Sequence, residues 1–477
     1  MPSEGNTNDI KQKVKGNNDV KQTKQTGKNR YKPTWESLET RPLPSWYDKG
    51  KIGIFIHWGV FSVPAFVGAG SGGYAEWFWM YWKGGDEMKD HVRHRLPSRS
   101  VQEYMKRRYP PDWEYTDFAP QFTAEFFDPE HWARVFKASG AKYVVLTSKH
   151  HDGFCMWPSK KSWNWNAMDN GPHRDLVGDL GDAVREAGLK YGLYHSLYEW
   201  FNPYYLDDKA NNFKTQSYVR EKMLPEMYDL VQRYKPDIFW SDGHHKNNHS
   251  YFNSTQFVAW LYNESPVKDT VIVNDRWGMD VECKHGGYLT CSDKFNPGHV
   301  MERKWENCMT IDQESYGYRR NAKVNDYFDI NGILKIVAET VSCGGNVLIN
   351  IGPTADGRIP PVFEERLYQL GEWMNINGEG IYDTVPWIHQ NDQFNKDVWY
   401  TSRDKTVYAI TLKWPRNDIL ELHSMNPTAA TKVSWLGFNG TLKWTSDGGR
   451  VLVNMPTISM NDIPCLWAWV FKFENTQ

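Results

Sequence analysis

The sequence predicts an α/β chain: a (β/α)8-like TIM barrel catalytic domain followed by a C-terminal antiparallel β-sandwich. Three observations predict it. Short β-branched or aromatic runs alternate with amphipathic helical stretches from about residue 31 to 382, the rhythm of parallel strands joined by helical crossovers. No glycine-rich phosphate fingerprint follows the first of these runs, which turns the reading away from a doubly wound open sheet. Beyond Tyr382 the helical period stops, and short strand-like runs separated by Asn, Asp, Gly and Pro take over.

Residues 1–30 are a Lys-, Asn-, Gln- and Thr-rich leader whose only aliphatics after Met1 are Ile10, Val14 and Val20. Such a segment cannot build a core and is expected to be disordered. Within residues 31–382 the candidate strands are Ile52–Ile56, Tyr143–Thr147, Tyr191–His195, Ile238–Trp240, Val271–Val273 and Asn346–Asn350. These continuous apolar or aromatic runs suit a sheet buried on both faces. Helical periodicity lies between them at Pro129–Ala138, Leu176–Ala187, Tyr218–Tyr234 and Ile330–Val341. Residues 383–477 are expected to form the sandwich from Trp399–Thr401, Val407–Leu412, Lys432–Trp435, Gly440–Trp444 and Cys465–Phe473, packed on the barrel as a buttress.

The 477 residues carry 56 Lys plus Arg against 58 Asp plus Glu, so the basic excess of a nucleic-acid binder is missing. No apolar run reaches the roughly 18 residues of a membrane span. The 24 Trp and 26 Tyr supply flat apolar faces with polar tips, which suit the mixed C–H and hydroxyl surface of a sugar. The six Cys do not make a disulfide scaffold. Cys283 and Cys291, on either side of Gly286-Gly287, are candidates for a small loop disulfide. Sequons at Asn248, Asn253, Asn263 and Asn439 are candidate glycosylation sites that favour the secretory pathway, although no apolar signal segment follows Met1. A mature or trimmed chain reconciles the two.

The chemistry collects at the C-terminal ends of the candidate strands, where a barrel builds its site. The first ends in His57-Trp58-Gly59, and the second runs into Lys149-His150-His151-Asp152-Gly153. The third ends in Tyr194-His195-Ser196, the fourth in Trp240-Ser241-Asp242-Gly243, and the fifth in Asn274-Asp275-Arg276-Trp277. Stability alone does not call for imidazoles, a guanidinium and a carboxylate at five consecutive ends. His150 and His151 diverge because they are adjacent, and neither H-x-H nor H-E-x-x-H occurs, so no metal and no cofactor is expected. Imidazole, guanidinium and Trp around a carboxylate suit recognition of hydroxyls followed by glycoside hydrolysis.

Eight ordered motifs identify a family. F-I-H-W-G (Phe55–Gly59), E-W-F (Glu76–Phe78), K-Y-V-V-L-T-S-K-H-H-D-G-F (Lys142–Phe154), G-P-H-R-D-L-V-G (Gly171–Gly178), G-L-Y-H-S (Gly192–Ser196), W-S-D-G (Trp240–Gly243), N-D-R-W-G (Asn274–Gly278) and N-I-G-P-T-x-D-G (Asn350–Gly357) together resemble the α-L-fucosidases of glycoside hydrolase family 29, closest to the animal lysosomal type. The resemblance covers about residues 31–474. It implies a retaining exo-glycosidase acting on terminal α-L-fucose of fucosylated glycans, with Asp242 as nucleophile. It further implies that His57, Glu76, His150, His151, His195 and Arg276 hold the sugar, while Trp58 and Tyr316 face its C6 methyl. A homo-oligomer, a tetramer in animal relatives, and a lysosomal or secreted location are implied as well. A catalytically silent fucose-binding protein and a transfucosidase are the alternatives.

The acid/base has two candidates, Asp293 in C-S-D-K-F and Glu306 in K-W-E-N-C. A loop position suits a group that must reach the leaving oxygen from the side, so Asp293 is favoured and Glu306 is second. Two stretches depart from the family pattern, Val67–Ala75 and Lys89–Ser100 with Lys89, Arg93, Arg95 and Arg99. Both follow the first strand, where they would border the mouth of the site, and for the second a surface loop without function is the equal alternative.

Overall fold

The structure, a computed structural model, describes residues 30–68, 70–84 and 92–476, with side chains from residue 95 onward in the last stretch. The expected leader (Arg30 excepted), Lys89 and the side chain of Arg93 lie outside the described residues.

The barrel strands are β1 (Ile52–Ile56), β2 (Tyr143–Lys149), β3 (Lys190–Ser196), β4 (Ile238–Asp242), β5 (Ile272–Val273), β6 (Glu306–Thr310) and β7 (Asn346–Ile351). They form one sheet in the order β5-β4-β3-β2-β1-β7-β6, parallel at every pairing. Packed from both sides, β1, β2, β6 and β7 are buried at every residue, which is why most of these strands read as continuous apolar runs. Gly53 stands where the Tyr143 ring crosses β1, and a Cβ there would meet that ring at 2.2 Å.

Among the described residues seven strands, rather than eight, make the sheet, and a short extended stretch spans the remaining gap. Gly287 N and Tyr288 N donate to Val273 O at 3.1 and 3.3 Å, and Leu289 N donates to Lys304 O at 2.9 Å. Glu306 N in turn donates to Leu289 O at 2.8 Å, so residues 287–289 stand between β5 and β6. No candidate strand covered β6, because Glu306-Asn307-Cys308-Met309-Thr310 has no β-branched run.

Helices begin where the sequence supplies caps. Asp128 Oδ1 accepts from His131 N at 2.8 Å ahead of Pro129–Ala138, and Asp175 Oδ1 accepts from Gly178 N at 2.9 Å ahead of Leu176–Glu186. The expected helix Tyr218–Tyr234 is instead a π turn, Val219–Met223, leading into an α-helix, Leu224–Tyr234. Pro225 lacks the N–H that an unbroken α-helix would need there.

The antiparallel part holds two sheets. The larger contains β8 (Val385–Asn391), β9 (Val398–Arg403), β10 (Thr406–Thr411), β12 (Pro427–Trp435) and β15 (Trp469–Thr476); the smaller contains β11 (Ile419–Leu422), β13 (Lys443–Asp447) and β14 (Arg450–Asn454). Tyr400, Leu420, Val451 and Phe471 pack a core of their own between them. The barrel is joined to them through the helix Pro361–Asn377, where Trp373 Nε1 donates to Ala468 O at 2.9 Å.

The sequons fall into unlike settings. Asn248 and Asn439 are exposed, and Asn253 is partly buried. Asn263 is engaged: its Nδ2 donates to Tyr31 O at 2.9 Å and Ala259 O at 2.6 Å, and its Oδ1 accepts from Tyr31 N at 2.9 Å. A glycan on that nitrogen would replace one of its two N–H groups and so one of these bonds, leaving the Oδ1 contact with Tyr31 N in place. Among the described residues no helix is long and apolar enough to cross a membrane.

Candidate active site

A small cavity opens at the C-terminal ends of the barrel strands, lined by Phe55, His57, Tyr74, Glu76, Trp77, His150, Tyr194, Trp240, Asp242, Arg276, Asp293, Cys308 and Tyr316. A larger groove of about 920 Å³ lies between residues 30–44 and Tyr262–Asp269. That groove borders the turn leading into β5, at the opposite end of the barrel, and collects no imidazole.

Asp242 ends β4 with its side chain 15% exposed. Its Oδ2 accepts from Tyr194 OH at 2.8 Å, and its Oδ1 accepts from Arg276 Nη1 at 3.1 Å. His151 Nε2 stands 3.7 Å from Oδ2. Burial opposes the charge of Asp242, but the His244 imidazole and the Arg276 guanidinium more than offset it and hold the carboxyl well below its usual range.

Arg276 joins two carboxylates. Its other terminal nitrogen lies 2.9 Å from Asp293 Oδ1, its Nε donates to Thr290 Oγ1 at 2.9 Å, and its guanidinium carbon sits 4.7 Å over the Trp240 ring. Asp293 is 36% exposed, well above Asp242. The loop that carries it is tied down twice. Cys283 and Cys291 are disulfide-bonded, and Asp275 accepts from Cys283 N, Cys291 N and Thr290 N at 2.9, 3.1 and 2.9 Å.

The His57, His150 and His151 imidazoles are neutral acceptors or donors rather than cations. His57 Nδ1 bonds Asn350 Oδ1 at 2.8 Å. The Asn350 amide nitrogen is committed to Thr310 Oγ1 and Tyr316 O at 3.0 and 2.7 Å, so Oδ1 must accept and His57 must carry its proton on Nδ1. Its Nε2 is thereby an acceptor. Burial pushes His57 down to about 4 and His150 to about 3. The buried Nδ1 of His150 has no hydrogen-bond partner among the described residues, which a bound hydroxyl would supply. His151 Nδ1 donates to Ser196 Oγ at 2.6 Å, since that hydroxyl itself donates to Tyr198 O at 2.7 Å. Burial raises the Glu76 carboxyl to about 7 even though Gly317 N donates to its Oε2 at 2.7 Å. Tyr316 donates to Cys308 O at 2.6 Å and lays its ring beside His57, with centroids 4.9 Å apart.

Three sequence assignments are corrected, each by strand geometry. Trp58 follows the inward His57, and its ring packs away from the cavity against Phe122, Phe127 and Trp132. His195 is fully buried on the outer face of β3, near Trp157 and Phe239, and neither ring nitrogen has a hydrogen-bond partner among the described residues. Its neighbour Tyr194, in register with Trp240, reaches Asp242 instead. Glu306 begins β6 at the far end of the barrel and is fully buried. It accepts from Tyr47 OH at 2.9 Å, Tyr143 OH at 2.8 Å and Trp240 Nε1 at 3.1 Å, a polar plug beneath the site rather than a wall of it. Alternation from Asp242 and Trp240 was the signal that would have chosen Tyr194 over His195.

Of the two departures from the family pattern, residues 67–75 include Tyr74, on the cavity wall. The helix Val92–Arg108 supports them: Gly68 N donates to Ser100 Oγ at 3.0 Å. Arg95 and Arg99 are exposed on that helix.

Behind the His150–His151 turn lies a buried ionic quartet. Lys149 Nζ is 2.7 Å from Glu199 Oε1 and 3.4 Å from Glu226 Oε2, and Lys222 Nζ is 2.7 Å from Glu226 Oε1 and 3.2 Å from Glu199 Oε1. Lys149→Met leaves the carboxylates with one cation. Expected is a loss of about 3–5 kcal/mol of stability, read from the denaturant midpoint; a loss below about 1 kcal/mol would contradict the account. Activity should fall too, because Trp200 N, next to Glu199, donates to His151 O at 2.8 Å.

Carboxylates sharing a guanidinium, ringed by imidazoles at the mouth of a parallel barrel, define an enzyme of the glycoside hydrolase class. Comparison with known proteins narrows it. The α-L-fucosidase family profile matches residues 19–379, and the α-L-fucosidase C-terminal domain profile matches residues 390–474. The chain is 55% identical over 430 residues to α-L-fucosidase of Branchiostoma floridae, covering 90% of this chain and 92% of that protein. It is 52% identical over 432 residues to tissue α-L-fucosidase of Homo sapiens, covering 90% and 89%. The crystal structure of Thermotoga maritima α-fucosidase in complex with fucose matches with a TM-score of 0.77 at 33% identity, over 93% of this chain and 100% of that one. The chain belongs to the α-L-fucosidase family.

Proposed function

We propose that this protein is a retaining exo-glycosidase that hydrolyses terminal α-L-fucose from glycoproteins, glycolipids and oligosaccharides. The observation that carries the reading is the Asp242–Arg276–Asp293 array, which sets a strongly acidic carboxyl deep in the cavity and a second carboxyl at its rim. Asp242 attacks C1 and forms a fucosyl ester while Asp293 gives its proton to the leaving oxygen. Asp293 then takes a proton from water, which attacks C1 and restores Asp242. The short carboxylate spacing of retaining enzymes, about 5–5.5 Å, suits groups that share one guanidinium. The ring faces of Phe55, Trp240 and Tyr316 give the C6 methyl an apolar seat, where a C6 hydroxyl would lose its hydrogen bonds.

Release of nitrophenol from an aryl α-L-fucoside, with α-fucose as the first product by NMR, tests the reading. Fucose binding without release would leave the silent-binder alternative, against which the intact Asp242 argues. Product profiles with sugar acceptors separate hydrolysis from transfer. A lysosomal or secreted location fits the Cys283–Cys291 disulfide and the tissue and plasma enzymes among the relatives. A homo-oligomer, tetrameric by family resemblance, is part of the same proposal.

His57→Ala and His150→Ala each remove an acceptor for a sugar hydroxyl. Each should lower kcat/KM by about 1–3 kcal/mol of transition-state stabilisation without moving the basic limb of the pH profile. Unchanged kinetics for both would remove them from the site.

A further inference from the structure

One imidazole beside Asp242, His244, is not among the residues that line the cavity. His244 follows Gly243 on a short turn, His244–Lys246. Its Nδ1 lies 3.7 Å from Asp242 Oδ1, an ion-pair rather than a hydrogen-bond distance, and its Nε2 lies 3.1 Å from Glu282 Oε1. The turn depends on Gly243, which has a φ of 78° and where a Cβ would meet the Tyr198 ring at 2.5 Å. Glu282 is held from the other side: it precedes Cys283, whose sulfur is bonded to Cys291 and whose N–H donates to Asp275 at 2.9 Å. The result is a carboxylate–imidazole–carboxylate array reaching from the rim loop to the nucleophile.

We propose that Glu282 is a positioning residue for the reaction, acting through His244: it holds a protonated imidazole against Asp242, and that cation keeps the nucleophile ionised toward the acidic end of the activity profile. The proposal rests on the reading of Asp242 as nucleophile.

Burial alone would strip His244 of its proton, but Asp242 and Glu282 on its two sides raise it above the ordinary histidine range. The other groups facing the pair are Arg276 from the β5 end, His150 and His151 from β2, His57 from β1, Tyr194 from β3, and His245 and Lys246 on the same turn. Burial lowers His57 to about 4, His150 to about 3, and His151 as well, so these three are neutral above about pH 4, where His244 is still charged. Arg276 is a cation throughout. The Asp242 carboxyl is depressed, so its ionised form is present above its pKa and lost as pH falls through it. Removing the His244 charge raises that pKa and moves the loss to higher pH.

The test compares wild type, Glu282→Gln, His244→Gln and the double variant. It reads kcat/KM on an aryl α-L-fucoside from acid to neutral pH and, separately, the rate at which 2-fluoro-fucosyl fluoride labels Asp242. Expected is an upward shift of the acid limb by roughly one pH unit in both single variants, with labelling rates following. The double variant should move no further than His244→Gln, because one residue acts through the other. A Glu282→Gln limb that coincides with wild type overturns the proposal, and so do shifts that add in the double variant. If Glu282→Gln does not fold, His244→Gln decides, and an unmoved limb there overturns it. Wild-type protein that neither turns over the fucoside nor takes the label overturns the fucosidase reading, and the proposal with it.

Discussion

Asp242→Gly is expected to lower kcat on an aryl α-L-fucoside by roughly four orders of magnitude or more, the scale seen when a group acting as one unit of a catalytic machine is removed. The glycine leaves the fold in place. Asp242 is the last residue of β4 and faces the cavity, so its loss opens no void in the packed core. What it unbalances is local: Tyr194 OH loses its acceptor, and Arg276 keeps only Asp293 of its two carboxylates. Stability should therefore change by no more than about 1–2 kcal/mol. Added azide fits the space of the missing carboxylate and attacks C1 from the same face, so rescue should return β-configured fucosyl azide. Near-wild-type turnover by the glycine variant, or rescue giving the α-azide, would remove Asp242 from the role of nucleophile.

The positions of most barrel strands and helices were legible because burial on both faces makes each strand an unbroken apolar run, and because Asp caps and Pro129 announce helix starts. The strand at Glu306–Thr310 was not, since its first residue is a carboxylate. That carboxylate belongs inside the barrel only because Tyr47, Tyr143 and Trp240, distant in sequence, converge on it. The strand-end motifs named the groups of the site, while their direction had to come from register. Pairing places Tyr194 level with Trp240 and Ser196 level with Asp242, which turns Tyr194 inward and His195 outward. Trp58 fails by the same parity. His244 and Glu282 are 38 residues apart in number, and only the fold shows that they touch.

Asp293→Ala is expected to split substrates by leaving group. A natural glycan leaves as a sugar alkoxide that needs a proton, so turnover should fall by about 10²–10⁴-fold, the usual worth of general acid catalysis. An activated aryl fucoside leaves unaided, so its first step should be spared, and the slow water attack should let the fucosyl-enzyme accumulate as a burst. Glu306→Gln serves as the contrast. Its carboxyl is driven up by burial even though Tyr143, Trp240 and Tyr47 all donate to it, and it lies beneath the floor with no path to a leaving oxygen. Replacing it should reduce stability and, through Trp240, lower activity on every fucoside by a similar factor. A leaving-group split in Glu306→Gln, with Asp293→Ala slowing all substrates alike, would reverse the assignment. The geometry argues against that reversal: a proton donor must meet the glycosidic oxygen at the rim, where Asp293 stands two residues beyond the disulfide-closed loop, and Glu306 is at the other end of the barrel.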